Sequence, residues 1–205
     1  MPYAAIQPPF TLKLREMPKK ELHSYYQWFM ESLPQRVNEL AEAVRQTPGF
    51  ECWQADCTPS SLDGLGEWFA RQVEVRNRTQ EEIQTIQNRQ AFPIDIPREE
   101  LTNRTFSLAM DIGMYLSQVF LKNHPFLKWE QPLGNKRFVD YGQPSLAGFG
   151  PVTLNPVGIV ITFTYGLNSK RRTGAGLREI YDIWSKKVPP LNHDKVNSTS
   201  QPKHV

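Results

Sequence analysis

One stretch of the chain, residues 101–129, constrains the fold more than any other. Its apolar residues recur at intervals of three and four positions, which is the spacing of one face of an α-helix. The pattern ends at His124-Pro125, because proline cannot donate a backbone hydrogen bond and disfavours helix at the preceding residue. Met110 and Met114 widen the apolar surface beyond one stripe. We therefore predict a central helix of about six turns that meets neighbours on two sides.

Helical patterns also precede the central stretch. A helix is predicted to begin at Met17-Pro18, and Pro34 is expected either to kink it or to divide it into two helices before residues 47–49. Thr58 is a favourable N-cap for a further helix with Pro59 in its first turn. A mostly solvated helix is predicted from residue 79 to about residue 89.

Strand patterns follow the central helix. Short apolar segments near Trp129, at residues 138–141 and at residues 152–167 are separated by Pro, Gly and Asn, as in an antiparallel meander. Residues 157–165 alternate between large apolar side chains and mostly small or Thr ones, which predicts a strand with one side on the core. A short strand is also predicted at residues 50–55.

The order of these elements predicts the fold class. Helices come first, then strands, then a last helix at about residues 176–187, and this order favours an α+β fold over alternating βαβ units. We expect N-terminal helices and the central helix to pack on a small antiparallel sheet, with a C-terminal helix. Residues 1–14 are predicted to form an extended arm, residues 15–187 a single α+β domain and residues 188–205 a disordered tail.

The charge distribution argues against a nucleic-acid partner. The net charge is +3, from 24 basic and 21 acidic residues. Four of the basic and one of the acidic residues lie at residues 186–205, so the rest of the chain is neutral. Nucleic-acid binders concentrate positive charge on the folded face that meets phosphate.

Cysteine content and hydropathy indicate the compartment. Cys52 and Cys57 are the two cysteines, and no second Cys or His pair lies at metal-ligand spacing. Neither a disulfide framework nor a metal site is expected, and no cofactor. The chain opens without a signal-peptide pattern and has no apolar run long enough for a membrane span. We expect a cytoplasmic protein.

Asp111 is the one carboxylate within the apolar length of the central helix. Helical spacing puts Ser107 and Tyr115 beside it, so we expect a solvated or hydrogen-bonded position on a polar flank. A functional alternative is a small hydrolase or ligand-binding enzyme, in which Asp111 and Tyr115 act with His23 in a pocket between the central helix and the sheet. Against it, no histidine stands in a recognisable motif with Ser, Cys or Asp.

Two other patterns suggest binding surfaces. Tyr25 and Trp28 lie off the apolar stripe of the first helix, and exposed aromatic residues are protein-contact candidates. The alternative is that a second neighbour covers them. Lys170, Arg171 and Arg172 lie in a basic, glycine-containing loop before the last helix and could hold a phosphate. The simpler interpretation is a solvated loop, since its glycines do not match the phosphate-loop or dinucleotide spacing.

Three stretches together resemble one group of proteins. They are Met17-Pro18-Lys19-Lys20-Glu21 with Tyr26-Gln27-Trp28-Phe29 and Pro34-Gln35-Arg36, then Thr58-Pro59-Ser60-Ser61-Leu62, then Asp111-Ile112-Gly113-Met114-Tyr115-Leu116 with Trp129 and Leu154-Asn155-Pro156. They resemble uncharacterised bacterial α+β proteins with the patterns M-x-K-x-E…Y-x-W-F, S-P-x-S-L and D-x-G-x-Y-L…W…L-N-P. Ser117 stands where that pattern has a second small residue, usually Gly. The resemblance implies an immunity-type protein and assigns no residue a role.

The sequence thus favours a non-enzymatic protein-binding module, such as an immunity-type inhibitor of a toxin. The missing catalytic motif, the neutral body and the surplus of aromatic residues support this interpretation. The hydrolase or ligand-binding enzyme is the alternative. Nucleic-acid binding through Lys170, Arg171 and Arg172 is a third hypothesis.

Overall fold

The computed structural model describes residues 3–90 and 92–189. That part of the chain contains six helices and two small antiparallel sheets, which confirms the predicted α+β class. The helices are α1 (Lys19–Arg45), α2 (Ser61–Gln72), α3 (Gln80–Asn88), α4 (Asn103–Asn123), α5 (Pro156–Asn168) and α6 (Gly176–Ser185). The strands are β1 (Val75–Asn77), β2 (Glu99–Leu101), β3 (Lys128–Glu130), β4 (Ser145–Phe149) and β5 (Val152–Leu154).

The central helix is confirmed as α4. The Thr102 side chain accepts a hydrogen bond from the Thr105 backbone at its start, and His124 follows its last residue. Every residue from Ser107 to Ser117 is buried, so the helix has core on more than one side. It contacts α1 and α5 most extensively, and α2 and α6 as well. This burial on several sides follows from the widened apolar surface.

The first helix runs unbroken from Lys19 to Arg45 and includes Pro34. The expectation of one long helix is therefore correct, and the alternative of two helices is wrong. Proline removes one backbone hydrogen bond from a helix interior. Phe29 and Leu40, on either side of Pro34, are fully buried, and their packing offsets that loss.

The predicted strand at residues 157–165 is wrong, since this segment forms most of α5. Asn155 caps the helix by accepting a hydrogen bond from the Gly158 amide at 2.9 Å, and Pro156 occupies the first turn. Nearly every position of the segment is apolar or Thr. The segment therefore fits the two-residue period of a strand and the 3.6-residue period of a helix equally well. Only its length of thirteen residues favours a helix over a strand.

Two further predicted strands are absent from the described chain. Residues 50–55 and 138–141 form turns and irregular backbone. The three-stranded sheet is instead built on β4, with Trp129 opposite Leu146 and Leu146 opposite Leu154. Its Phe149 ring meets the Phe120 ring of α4 edge-on at 5.5 Å. The sheet thus closes the C-terminal end of the central helix.

The second sheet is a two-stranded ribbon that the sequence patterns did not predict. β1 and β2 pair antiparallel, with Val75 opposite Leu101 and Asn77 opposite Glu99. Between them lie α3 and residues 89–98. The predicted solvated helix at residues 79–89 is confirmed as α3, which has no buried residue.

The N-terminal arm lies along the helices, and residues 3–7 lack regular secondary structure. Its Phe10 ring meets the rings of Tyr25 and Trp28 at 5.6 and 5.9 Å. From residue 190 onward, the predicted tail lies outside the described residues. Among the described helices, none has both the length and the apolar character needed to cross a bilayer.

Candidate binding groove

A groove of about 1330 Å³ lies between the β1–β2 ribbon, α5 and α6. α5 contributes Ile159 and Phe163, which are four residues apart and therefore share one helix face. α6 contributes Ile180 and Trp184 with the same spacing. Val75 and Leu101, cross-strand partners in the ribbon, line the third side. The groove therefore has apolar surface on all three elements.

Two large side chains in this groove are exposed to solvent. Ile183 of α6 is 54% exposed and Tyr165 of α5 is 42% exposed. Ile183 belongs to the apolar stripe that the sequence shows for the last helix. The stripe is thus wider than the surface that α6 buries against α2, α4 and α5. Contiguous exposed apolar surface in a concave site marks a binding surface more often than a packing error.

Arginine side chains dominate the rim. The lining has four arginines and three glutamates, namely Arg78, Arg98, Arg171, Arg172, Glu99, Glu100 and Glu179. Arg78 and Arg172 each have a glutamate oxygen at 3.5 Å, from Glu100 and Glu179 respectively. The guanidinium groups of Arg98 and Arg171 make no hydrogen bond or ion pair with the described residues. The exposed Glu99 carboxylate likewise makes no hydrogen bond or ion pair with them. The rim therefore offers two uncommitted positive charges and one uncommitted negative charge to a ligand.

The ribbon wall is held by Arg78. Its Nη1 donates to the carbonyl oxygens of Pro97 at 2.6 Å and Glu99 at 2.7 Å. The Arg78 amide donates to the Arg98 carbonyl at 2.8 Å. These bonds join the chain after β1 to the chain before β2, and so fix the wall that carries Arg98.

The basic loop predicted to hold a phosphate supplies part of this rim. Arg171 and Arg172 line the groove, whereas Lys170 does not. The amides of Arg171 and Arg172 both donate to the Gly166 carbonyl, and the Gly176 amide donates to Thr173. These amides are therefore committed within the chain and do not form a phosphate cradle at the start of α6. The loop contributes side-chain charge alone.

Asp111 is hydrogen-bonded, which was one of the two expected alternatives, but it does not lie on a solvated polar flank, because its side chain is fully buried. Arg36 of α1 donates to Asp111 from Nε to Oδ1 at 2.9 Å and from Nη2 to Oδ2 at 2.6 Å. The Tyr3 hydroxyl donates to Oδ2 as well. Burial raises the pKa of Asp111 to about 6, although the hydrogen bonds and charge of Arg36 oppose the rise.

The groups around this carboxylate hold the N-terminal arm in place. Arg36 Nη2 donates to the Ala4 carbonyl at 3.0 Å, and the Ile6 amide donates to Ser107 Oγ at 2.7 Å. Burial and the charge of Asp111 raise the pKa of Tyr3, which therefore stays a proton donor at neutral pH. Each of these bonds is made within the chain. Asp111 is thus an anchor for the arm, and no open cavity reaches it among those described.

The other two catalytic candidates do not join Asp111. The Tyr115 hydroxyl accepts a hydrogen bond from the Cys57 amide at 3.0 Å and shares one with Ser61 at 2.7 Å. Burial raises its pKa to about 12. His23 is exposed on α1, about 20 Å along the helix from the Arg36 that contacts Asp111, at 1.5 Å per residue. The structure therefore does not bring the three side chains to one pocket.

The aromatic candidates on α1 are covered by the chain itself. Tyr25 is 5% exposed and Trp28 is half-buried. Their rings stack at 6.0 Å, beside Phe10 of the arm. The alternative in which a second neighbour covers the first helix is the correct one, with the arm as that neighbour.

Neither a metal site nor a related protein points to a function for the groove. Across residues 3–90 and 92–189, no group of three His, Cys, Asp or Glu side chains is placed to hold a metal ion. No protein-family model, curated protein or solved structure matches the chain.

Proposed function

We propose that this chain is a non-enzymatic, cytosolic protein-binding module, and that its groove takes a segment of a partner protein. The observation that carries the proposal is the open groove, with exposed Ile183 and Tyr165 on its apolar side. On its rim, Arg98 and Arg171 have no ion pair within the described part of the chain. Apolar contacts supply most of the free energy of such binding, and the rim charges select the partner.

The size of the groove favours a protein segment over a small molecule. Pockets for drug-sized ligands measure about 300–1,000 Å³, and this groove measures about 1330 Å³. An α-helix of about 10–12 Å diameter that rises 1.5 Å per residue occupies roughly 120–170 Å³ per residue. A groove of this size and openness suits a short segment of amphipathic helix, a recurrent mode of recognition.

The chemistry of the groove favours binding over catalysis. Of the described residues that line it, none is a histidine or a cysteine. Glu100 and Glu179 face arginines, and the Ser169 hydroxyl donates to the Gly166 carbonyl. Among the described residues, no hydroxyl of the lining is hydrogen-bonded to a histidine or a carboxylate, the pairing that activates a nucleophile for acyl transfer or hydrolysis.

The resemblance to immunity-type proteins supports a toxin as the partner. An inhibitor of this kind buries an active surface without performing chemistry itself. In this proposal, the partner segment that enters the groove belongs to a toxin and is amphipathic.

A site-specific photo-crosslinker tests the proposal. It replaces Ile183 in the groove or, as a matched control, Val139, which is 78% exposed and lies outside the groove. We expect one discrete protein adduct from native cytosol at position 183 and none at position 139. Mass spectrometry then identifies the cross-linked segment, and the purified partner is titrated against the chain and against the Ile183→Gln variant.

Three outcomes would overturn the proposal. The first is equal adducts at both positions, and the second is no adduct at position 183. The third is a small molecule that stabilises the chain against heat, with that gain lost in Ile183→Gln, because this would make the groove a ligand site.

A further inference from the structure

Residues 3–6 of the N-terminal arm occupy a cleft between α1 and α4, and the Tyr3 side chain fills its polar end. The Tyr3 hydroxyl donates to Asp111 Oδ2 and accepts from Arg36 Nη2 at 2.8 Å. It also shares a hydrogen bond with Ser107 Oγ at 2.8 Å. The Arg36 guanidinium lies over the Tyr3 ring, with 5.2 Å between Cζ and the ring centroid, as in a cation–π contact. This end of the cleft therefore recognises both the ring and the hydroxyl of a tyrosine.

The cleft also recognises the backbone and one further side chain of the arm. The Ala4 carbonyl accepts from Arg36 Nη2 at 3.0 Å, and the Ile6 amide donates to Ser107 Oγ at 2.7 Å. Ala4 and Ala5 are exposed. The Ile6 side chain packs on an apolar cluster made by Phe29, Leu33, Met110 and Met114. The contacts thus select a tyrosine followed three positions later by an aliphatic residue, with two unselected positions between them.

The helices build this cleft without help from the arm. Arg36 donates to both carboxylate oxygens of Asp111, at 2.9 and 2.6 Å, and it also pairs with Glu39 of its own helix. These groups and Ser107 belong to α1 and α4, which contact each other directly. We therefore expect the cleft to keep its shape when the arm leaves, and a preformed site binds at a lower entropic cost.

The arm is held lightly. Within residues 3–7, which lack regular secondary structure, Tyr3 and Ile6 are half-buried and the other three residues are exposed. The next contact, Phe10, packs separately on a pair of aromatic rings of α1. Residues 3–7 can therefore leave the cleft while Phe10 stays in place.

We infer that this cleft is a second binding site, for a segment of another protein with the pattern Tyr-x-x-aliphatic, and that the arm is its intramolecular competitor. The arm is tethered, so its effective concentration at the cleft is on the order of millimolar. The arm of a second copy would gain no contact that each arm does not already make within its own chain. A separate protein is therefore the better source of the segment. Tyr3, Arg36, Ser107 and Asp111 do not line the groove of the proposed function, so the two sites are tested independently.

A labelled peptide with the sequence of residues 2–9, Pro-Tyr-Ala-Ala-Ile-Gln-Pro-Pro, tests the inference by fluorescence anisotropy. The full-length chain with Tyr3→Ala and Ile6→Ala should bind it saturably. The native chain should bind it about tenfold or more weakly, because its own arm competes. Ile6→Ala alone, which keeps the polar contacts of the arm, should give an intermediate affinity. Gln7→Ala, at an exposed arm position, is the matched control and should behave like the native chain.

Changes in the peptide test the recognition of the tyrosine without any risk to the fold of the chain. A peptide with Phe in place of Tyr3 keeps the ring and loses the hydroxyl, so it should bind about fivefold more weakly. A peptide with Ser in place of Ile6 should also bind more weakly, since it loses the apolar contact. Ser107→Ala in the chain with Tyr3→Ala and Ile6→Ala should weaken the native peptide, and thermal melts show whether each variant is folded.

Three results would overturn the inference. The first is no saturable binding at millimolar peptide by either Ile6→Ala or the double variant, and the second is equal binding by the native chain and both variants. The third is a native chain that sediments as a dimer and becomes a monomer with Tyr3→Ala and Ile6→Ala, which would assign the cleft to a second copy. Each of these would leave cross-linking from position 183 unaffected, so the groove of the proposed function would still stand.

Discussion

Arg36 of α1 and Asp111 of α4, which are 75 residues apart in the chain, form a buried ion pair between the two helices. The Arg36 side chain is 9% exposed and the Asp111 side chain is 0% exposed. Tyr3 joins the pair from the N-terminal arm. One polar cluster thus connects the arm, the first helix and the central helix.

Removing one partner of this pair should be strongly destabilising. Asp111→Ala leaves the Arg36 charge buried without its counter-ion, so the free energy of unfolding should fall by about 3–5 kcal/mol. Urea unfolding monitored by tryptophan fluorescence measures the change. The exposed pair of Glu42 and Arg45 supplies the control, and Glu42→Ala should cost less than about 1 kcal/mol. A loss below 1 kcal/mol for Asp111→Ala would mean that Arg36 finds water or another partner.

Asp111 should also make the stability depend on pH. Its pKa rises from 3.8 to about 6 on folding, mainly through burial, so the folded chain binds a proton that the unfolded chain has released. The contribution of Asp111 to the free energy of unfolding therefore falls as the pH rises from about 4 to about 6, by at most about 3 kcal/mol, and is constant above that range. The charged and titratable groups facing it are Arg36, Tyr3 and Glu39.

The measurement compares urea unfolding of the native chain and Asp111→Asn at several pH values. The native chain should lose stability relative to the variant between pH 4 and 6, since asparagine does not titrate. The opposite slope would show that the Arg36 charge outweighs burial and lowers the pKa of Asp111.

Gly113 sets the distance between α4 and α5. A Cβ atom at this position would lie 2.7 Å from Val157 Cα and 2.9 Å from the Pro156 carbonyl oxygen. These are backbone atoms, so Gly113→Ala should force the helices apart and cost about 2 kcal/mol, measured by thermal or urea unfolding. Gly134→Ala is the matched control, because nothing lies within 4 Å of the added methyl. Equal stability of the two variants would mean that α5 shifts without loss.

Thr79 should determine the local stability of α3. Its side chain accepts from the Glu82 amide at 3.2 Å, and Glu82 Oε2 accepts from the Thr79 amide at 2.8 Å, which forms a capping box. Thr79→Ala should reduce protection of the α3 amides against hydrogen exchange by about 1 kcal/mol. Global unfolding should hardly change, since α3 has no buried residue. Thr85→Ala, inside the helix, removes no cap and introduces a better helix former, so it should not lower the protection of the α3 amides. A global loss from Thr79→Ala would contradict the peripheral role of α3.

The sequence predictions succeeded where the interactions are between residues close together in the chain, and failed where they are between distant residues. The solvated helix at residues 79–89 and the proline stop after α4 depend on residues close to each other in the chain, and both were predicted. α5 was predicted as a strand because its residues are apolar on nearly every side. α5 approaches α4 so closely at Gly113 that this position of α4 has no room for a side chain. That contact joins residues distant in the chain, so a local sequence pattern does not reveal it.

The candidate groove could likewise be predicted from the sequence only in part. The apolar stripe of the last helix and the charges of Arg171 and Arg172 were visible in the sequence. The opposite wall was not, because β1 and β2 have three residues each and pair across more than twenty intervening positions. Strands that short carry no periodic signal.

By itself, the sequence determined the α+β class, the central helix and the solvated character of α3, since these depend on composition and local spacing. Tertiary structure alone decided the partner of Asp111, because a buried charge is paired by whichever opposite charge the packing of distant helices brings to it. It also decided which part of each apolar stripe stays uncovered. Ile183 is exposed because α6 packs on α2, α4 and α5 with its other residues, and that geometry leaves a groove facing the ribbon.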